Sequence, residues 1–173
     1  MNTNYIPITS FIEDLKLEVI VEGAEDAKII TSEVNRIGLQ IMEYYEYFSE
    51  ERIQVIGKSE YSYLQKLSEE SRYEIATKLM QYKIPCLIFT RELEVFESFK
   101  RAARENNCYI LRTDKSTTSF NSRALTYTDD KLAEAVTLHG VLVDVYGIGI
   151  LIIGKSGVGK SEAALVLIKR GHR

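Results

Sequence analysis

Along the first 125 or so residues, short apolar or alternating runs of strand type take turns with longer stretches of 3.6-residue helical period. Ser10 is a candidate N-cap for a short helix through Leu15, with Asp14 in its early turns, and Leu17 to Val21 alternates as a strand. Thr31 or Ser32 could cap a helix that includes Val34 and breaks at Gly38. The segment from Leu39 to Phe48, with Ile41, Met42, Tyr44, Tyr45 and Tyr47, fits helix or strand. Arg52 to Ile56 predicts a strand ending at Gly57. Ser59 starts a helix over Glu60 to Leu67, and Ser71 to Tyr82 is amphipathic. Pro85 to Phe89 and Cys108 to Leu111 predict short apolar strands on either side of a helix from Glu94 to Asn106. Alternation of this kind predicts an α/β layer with a mostly parallel sheet.

The composition then shifts. Thr113 to Ser119 is polar and poor in large apolar residues, so the last turns of a first domain and a linker are expected between here and Tyr127. The expected division is 1–126 for the α/β domain and 127–173 for a second domain. The second opens with a helix over Asp130 to Leu138, whose apolar side carries Leu132, Ala135, Val136 and Leu138, and which ends at His139-Gly140. Val141 to Tyr146 then reads as a strand, joined through Gly147-Ile148-Gly149 to a buried strand, Gly149 to Ile153, in a β-hairpin. Glu162 to Arg170 reads as a helix with Gly171 as its stop.

Between the last strand and the last helix, Gly154-Lys155-Ser156-Gly157-Val158-Gly159-Lys160-Ser161 matches the phosphate-binding pattern G-x-x-x-x-G-K-[ST] in its strand–turn–helix context. The glycines let several backbone N–H groups converge on one anion, and the free N–H groups of the following helix add to the attraction. In such a loop Lys160 neutralises charge between the β- and γ-phosphates, and the Ser161 hydroxyl ligates Mg²⁺. Lys155 and Ser156 lie inside the loop without a fixed role. A glycine-rich turn joining hairpin to helix would explain the glycines but not Lys160-Ser161.

Composition narrows the partners. A net charge of −3 and a pI near 5.6 argue against a general nucleic-acid binder, which needs a basic face. No run of 18 apolar residues exists, so no membrane span is expected, and Met1 to Tyr5 shows no signal-peptide pattern. Cys86 and Cys108 are too few for a disulfide framework and lack metal-ligand spacing; both read as small core hydrophobes in a reducing cytoplasm.

The run from His139 to Gly149, the phosphate-binding pattern with Glu162, and Arg170-Gly171-His172-Arg173 together resemble the bacterial HPr kinase/phosphorylase family. Upstream, Asn35-Arg36-Ile37-Gly38-Leu39, Arg52 to Gly57, Glu60, Tyr63-Leu64, Ile84-Pro85 and Thr90-Arg91 resemble that family's N-terminal domain. Ile37 departs from it, since proline commonly follows the arginine. The resemblance implies a bifunctional enzyme that phosphorylates a regulatory serine of the phosphocarrier HPr, with ATP or pyrophosphate as donor and Mg²⁺ as cofactor. It also removes that phosphate by phosphorolysis. The family forms hexamers and responds to fructose bisphosphate and inorganic phosphate in carbon catabolite control. Carried over by position, Gly154 to Ser161 bind the donor, Lys160 is a catalytic-site lysine, and His139 matches the active-site histidine. By itself, His139 also fits a histidine at a helix C-terminus, Glu162 an acidic first-turn residue, and His172 a surface residue.

In the family the proton-accepting aspartate lies a few residues beyond the match to Arg170–Arg173. These 173 residues alone are therefore expected to have little or no transferase activity, and the apolar hairpin and last helix are expected to need covering partners. Two alternatives stay open: a non-catalytic sensing or assembly module with a vestigial loop, and a generic P-loop hydrolase, which does not explain the helix–His139–hairpin order.

Overall fold

The computed structural model describes residues 5–133 and 138–173, and the chain forms two compact units, Met1–Ala133 and Glu134–Arg173. In the first unit, β1 (Ile6–Pro7) leads into α1 (Ile8–Leu15), followed by β2 (Glu18–Val21), β3 (Lys28–Ile29), β4 (Val34–Arg36) and α2 (Gly38–Ile41). Then come β5 (Ile53–Ile56), α3 (Lys58–Leu64), α4 (Glu69–Gln81), β6 (Cys86–Phe89), α5 (Glu97–Asn106), β7 (Tyr109–Arg112) and α6 (Thr117–Leu132).

The main sheet has the order β2-β7-β6-β5-β4. Its four strands β4 to β7 are mutually parallel, and β2 closes one edge antiparallel to β7 with a register shift between Val19 and Val21. A parallel sheet is buried on both faces, which is why β5 and β6 are buried at every position. Strand alternation sends successive side chains to opposite cores. Ile56, Leu87, Phe89 and Ile110 pack with Leu64 of α3, Leu79 of α4 and Phe99 of α5. Ile53, Val55, Ile88 and Leu111 pack with Phe11 of α1 and Phe120 and Ala124 of α6. Gln54, fully buried in β5, is satisfied: it accepts from Asn35 Nδ2 at 2.7 Å and donates to the carbonyls of Arg52 and Ser49.

The mostly parallel α/β architecture is as expected, and so are the central strands and the helices α4 and α5. Several local expectations are corrected. Val34–Arg36 is a strand rather than part of a helix; Thr31 does not cap a helix, and its hydroxyl accepts from the N–H of Glu33. Leu39 to Phe48 is neither a single helix nor a strand: α2 stops at Ile41 and turns follow. Ser10 lies inside α1, whose N-cap is Pro7. Helix α3 begins at Lys58 rather than Ser59, with Gly57 as its N-cap. The stretch expected as a linker is largely α6. Its cap Ser116 accepts from the Ser119 N–H at 3.2 Å, and Phe120, Ala124 and Thr128 are buried along one stripe. Tyr127 donates to Asp14 Oδ2 at 2.8 Å, tying α6 to α1, and burial together with that carboxylate pushes its phenol up to about 12. Of the helix expected over Asp130 to Leu138, residues through Leu132 belong to α6, and 134–137 lie outside the described residues.

The second unit is a hairpin and a helix: β8 (Gly140–Val145), β9 (Ile148–Ile153) and α7 (Lys160–Lys169). The hairpin turn is two residues, Tyr146-Gly147, not the expected Gly147-Ile148-Gly149. Both turn residues have left-handed backbone, φ 55° and 83°, the type I′ pattern that matches strand twist. Asp144 Oδ1 fixes the turn by accepting from the Gly147 N–H at 2.8 Å. The strand expected as buried is open: Ile148, Ile150, Leu151 and Ile153 of β9 are exposed, as are Leu165, Val166 and Ile168 of α7.

Candidate functional site

The loop from Gly154 to Gly159 joins the end of β9 to the start of α7, as the spacing predicts. Gly157 and Gly159 sit at φ 83° and 88°, backbone that a residue with a Cβ adopts only under strain. A Cβ on Gly154 would stand 3.0 Å from Val158 Cγ2, so the loop's entry is tight as well. Gly159 caps α7 without a side-chain hydrogen bond, leaving the first-turn N–H groups of a ten-residue helix to an outside acceptor. Residues 154–158 are exposed, and 159 and 160 are half-buried.

Lys160 folds back across the loop: its Nζ donates to the carbonyls of Gly154 at 2.8 Å and Lys155 at 2.7 Å. The ammonium is thus held over the loop by neutral acceptors, which an anion would outcompete, since a charged acceptor roughly doubles the strength of such a bond. The Ser161 hydroxyl has no hydrogen-bond partner among the described residues. No cluster of three or more His, Cys, Asp or Glu that could hold a metal occurs among them. That donor set suits Mg²⁺ taken up together with phosphate oxygens, water and one hydroxyl, rather than a cation held by protein ligands alone.

The hairpin register adds what spacing did not reveal. Gly140 pairs with Ile153, the residue immediately before the loop, so His139 stands at the end of β8 that adjoins Gly154. Gly140 has to be glycine at this crossing, because a Cβ there would meet the Ile152 carbonyl oxygen at 2.8 Å and Leu151 Cδ1 at 2.9 Å. His139 itself is exposed. The signal that could have exposed this register is Asp144 followed by Tyr146-Gly147, a two-residue turn that fixes every pair of the hairpin. Glu162 lies in the first turn of α7. His172 packs edge-on against Tyr146, with ring centroids 4.8 Å apart.

The upstream residues that carried the resemblance also meet, within the first unit, at the C-terminal ends of β4 to β6. Glu60 is buried and receives the Arg36 guanidinium at 2.8 Å and the Gly57 N–H at 3.0 Å. Thr90 Oγ1 donates to the Ile56 carbonyl, and it lies 2.8 Å from Thr117 Oγ1 at the start of α6. Ile37 has φ −75°, which proline also adopts; the bond its N–H donates, which proline would lack, is a long one to the Val55 carbonyl, 3.4 Å, so the departure from proline leaves the turn intact. Cys86 and Cys108 are both buried free thiols, and burial raises both, Cys108 to about 12.

A parallel α/β unit followed by strand, glycine-rich loop and helix describes a protein of the P-loop class in its second unit. The family models narrow this: "HPr Serine kinase N terminus" matches residues 6–127 and "HPr Serine kinase C-terminal domain" matches residues 130–173. The chain belongs to the HPr serine kinase family. It is 53% identical over 168 residues to an HPr kinase/phosphorylase of Clostridium perfringens (strain SM101 / Type A), a match covering 97% of this chain and 55% of that protein. It is 50% identical over 169 residues to the HPr kinase/phosphorylase of Thermoanaerobacter sp. (strain X514), again covering 97% of the chain and 55% of the relative. The chain thus spans about half the length of the curated relatives it matches. Among solved structures, the CBS and DRTGG domains of the regulatory region of Clostridium perfringens pyrophosphatase, crystallised with the activator diadenosine tetraphosphate, align with a TM-score of 0.50. That match covers 72% of this chain and 49% of the other, and at 20% identity it speaks to the fold alone. No helix among the described residues is long and apolar enough to cross a membrane.

Proposed function

We propose that this chain supplies the N-terminal domain and the start of the P-loop domain of a bifunctional HPr kinase/phosphorylase. Its substrate is a regulatory serine of HPr, its donor ATP or pyrophosphate with Mg²⁺, and its reverse reaction the phosphorolysis of phosphoserine. Gly154 to Ser161 cradle the donor phosphates through backbone N–H groups. Lys160 leaves the carbonyls of Gly154 and Lys155 to neutralise phosphate charge, and the Ser161 hydroxyl orients the metal. The bound donor supplies the phosphoryl group. His139, at the strand end beside Gly154, is the titratable group this chain brings to the transfer. With this reading go fructose bisphosphate and inorganic phosphate as effectors, a hexameric assembly and a cytoplasmic location. Turnover belongs to the whole protein, of which these residues match about half.

The observation that carries this reading is the lysine held over a loop of left-handed glycines at an uncapped helix start. The test is a transfer assay with the full-length protein, purified HPr, ATP and Mg²⁺, in which phosphoserine on HPr is measured. The expected result is incorporation that Lys160→Ala abolishes. Incorporation unaffected by that substitution, or none at all, would overturn the proposal.

A further inference from the structure

Within the first unit, a cavity of about 470 Å³ is lined by Leu15, Lys16, Asp114, Lys115 and Arg123. Three cationic residues and one carboxylate line it, in a chain whose net charge is −3. The single carboxylate is already engaged: Asp114 Oδ2 takes the Lys115 ammonium at 2.9 Å, which together with the Thr113 hydroxyl holds it below its ordinary range. Lys16 and Arg123 form no ion pair with any described residue. Asp14, the nearest acid along α1, is occupied by Tyr127 and Lys131.

The walls are fixed in place. The Lys115 N–H donates to Thr113 Oγ1, and its carbonyl accepts from the Arg91 N–H at 2.8 Å, so the β7–α6 connection is pinned against the loop after β6. Arg123 projects from α6, which Phe120 and Ala124 anchor in the core. Lys16 is the C-cap of α1 with φ 56°, a left-handed position that glycine or asparagine fills without strain. Nothing in the packing of the cap calls for lysine, and what lysine adds is a charge on the rim of this cavity. The size falls in the range of small-molecule sites and exceeds what a bare phosphate ion fills, while Leu15 gives the cavity an apolar floor.

From this we propose that the cavity between the end of α1, the β7–α6 loop and the face of α6 binds a small phosphomonoester, the phosphate lying among Lys16, Lys115 and Arg123 and the organic body against Leu15. The site is built of first-unit residues alone, shares none with the P-loop, and stands whether or not the loop binds nucleotide.

The experiment uses the whole chain, isotope-labelled and carrying Lys160→Ala to silence the P-loop, titrated with glucose 6-phosphate or with glucose at matched ionic strength and followed by backbone amide shifts. Glucose 6-phosphate should move the amides of Leu15, Lys16, Lys115 and Arg123 in a saturable way, and glucose should not. Adding Arg123→Gln, an exposed change that leaves the remaining spectrum in place, should weaken binding about tenfold, as expected for loss of one charge-assisted contact. Shifts that are absent or spread over the surface, that glucose produces equally, or that survive Arg123→Gln combined with Lys16→Gln would overturn the assignment.

Discussion

Replacing Gly140 with alanine tests whether the hairpin register sets up the phosphate loop. The new Cβ would lie 2.8 Å from the Ile152 carbonyl oxygen, 2.9 Å from Leu151 Cδ1 and 3.2 Å from Ile153 Cγ2. Leu151 Cδ1 can rotate away, but the carbonyl is backbone, so relief requires the Gly140↔Ile153 pair to separate. Overpacking of this kind costs about 1–3 kcal/mol. The hairpin is only two strands, marginal by itself, so the strain is relieved by fraying the end that adjoins Gly154. If about 1.4 kcal/mol of that reappears as the cost of re-forming the loop around a ligand, affinity drops roughly tenfold. Gly149→Ala is the matched control: its Cβ would lie 3.8 Å from Leu142 Cδ1, an ordinary contact, on the same hairpin. Calorimetric titration with magnesium pyrophosphate should show the Gly140 variant weakened and the Gly149 variant unchanged. Equal affinity for all three proteins, or a larger loss in the Gly149 variant, would refute the link between register and loop.

Three further outcomes follow from the first unit. Glu60→Ala strands the Gly57 N–H and the half-exposed Arg36, and should lower stability by about 2 kcal/mol, read as a shift in urea midpoint at constant slope; a change under about 0.5 kcal/mol would contradict the network. Phe120→Ala empties a core site on α6 and should cost about 3–5 kcal/mol, whereas a linker residue would cost almost nothing when truncated. The Tyr127 phenol, raised in the fold above its ordinary 10 to about 12, contributes stability that is complete below pH 10 and lost as pH climbs towards 12. Tyr127→Phe should therefore flatten the fall in thermal midpoint across that window, and an unchanged alkaline slope would count against the Tyr127–Asp14 tie.

What the sequence disclosed follows its physics. β5 and β6 announce themselves because both faces of a parallel strand are buried, so the apolar run is continuous. β4 did not, because Val34-Asn35-Arg36 is three residues at a sheet edge and owes its strand geometry to pairing with Ile53 to Val55. Helix α6 reads as a linker in the sequence because its first turn is polar and its buried stripe is narrow, one Phe, one Ala and one Thr at spacings of four. The phosphate loop was legible because its glycines, lysine and serine are adjacent in sequence. The placing of His139 beside it was not, since that depends on a turn one residue earlier than the glycine spacing suggested. The Arg36–Glu60 contact was likewise hidden: Arg36 is far from Glu60 in the chain and reaches it only once β4 and β5 lie parallel.

The account's central claim, that Gly154 to Ser161 grip phosphate, is tested most directly by titrating this chain and its Lys160→Ala variant with magnesium pyrophosphate in a calorimeter. Saturable binding at one site in the first, weakened at least about tenfold in the second, is the predicted result. Identical isotherms for the two proteins, or no heat from either, would contradict it.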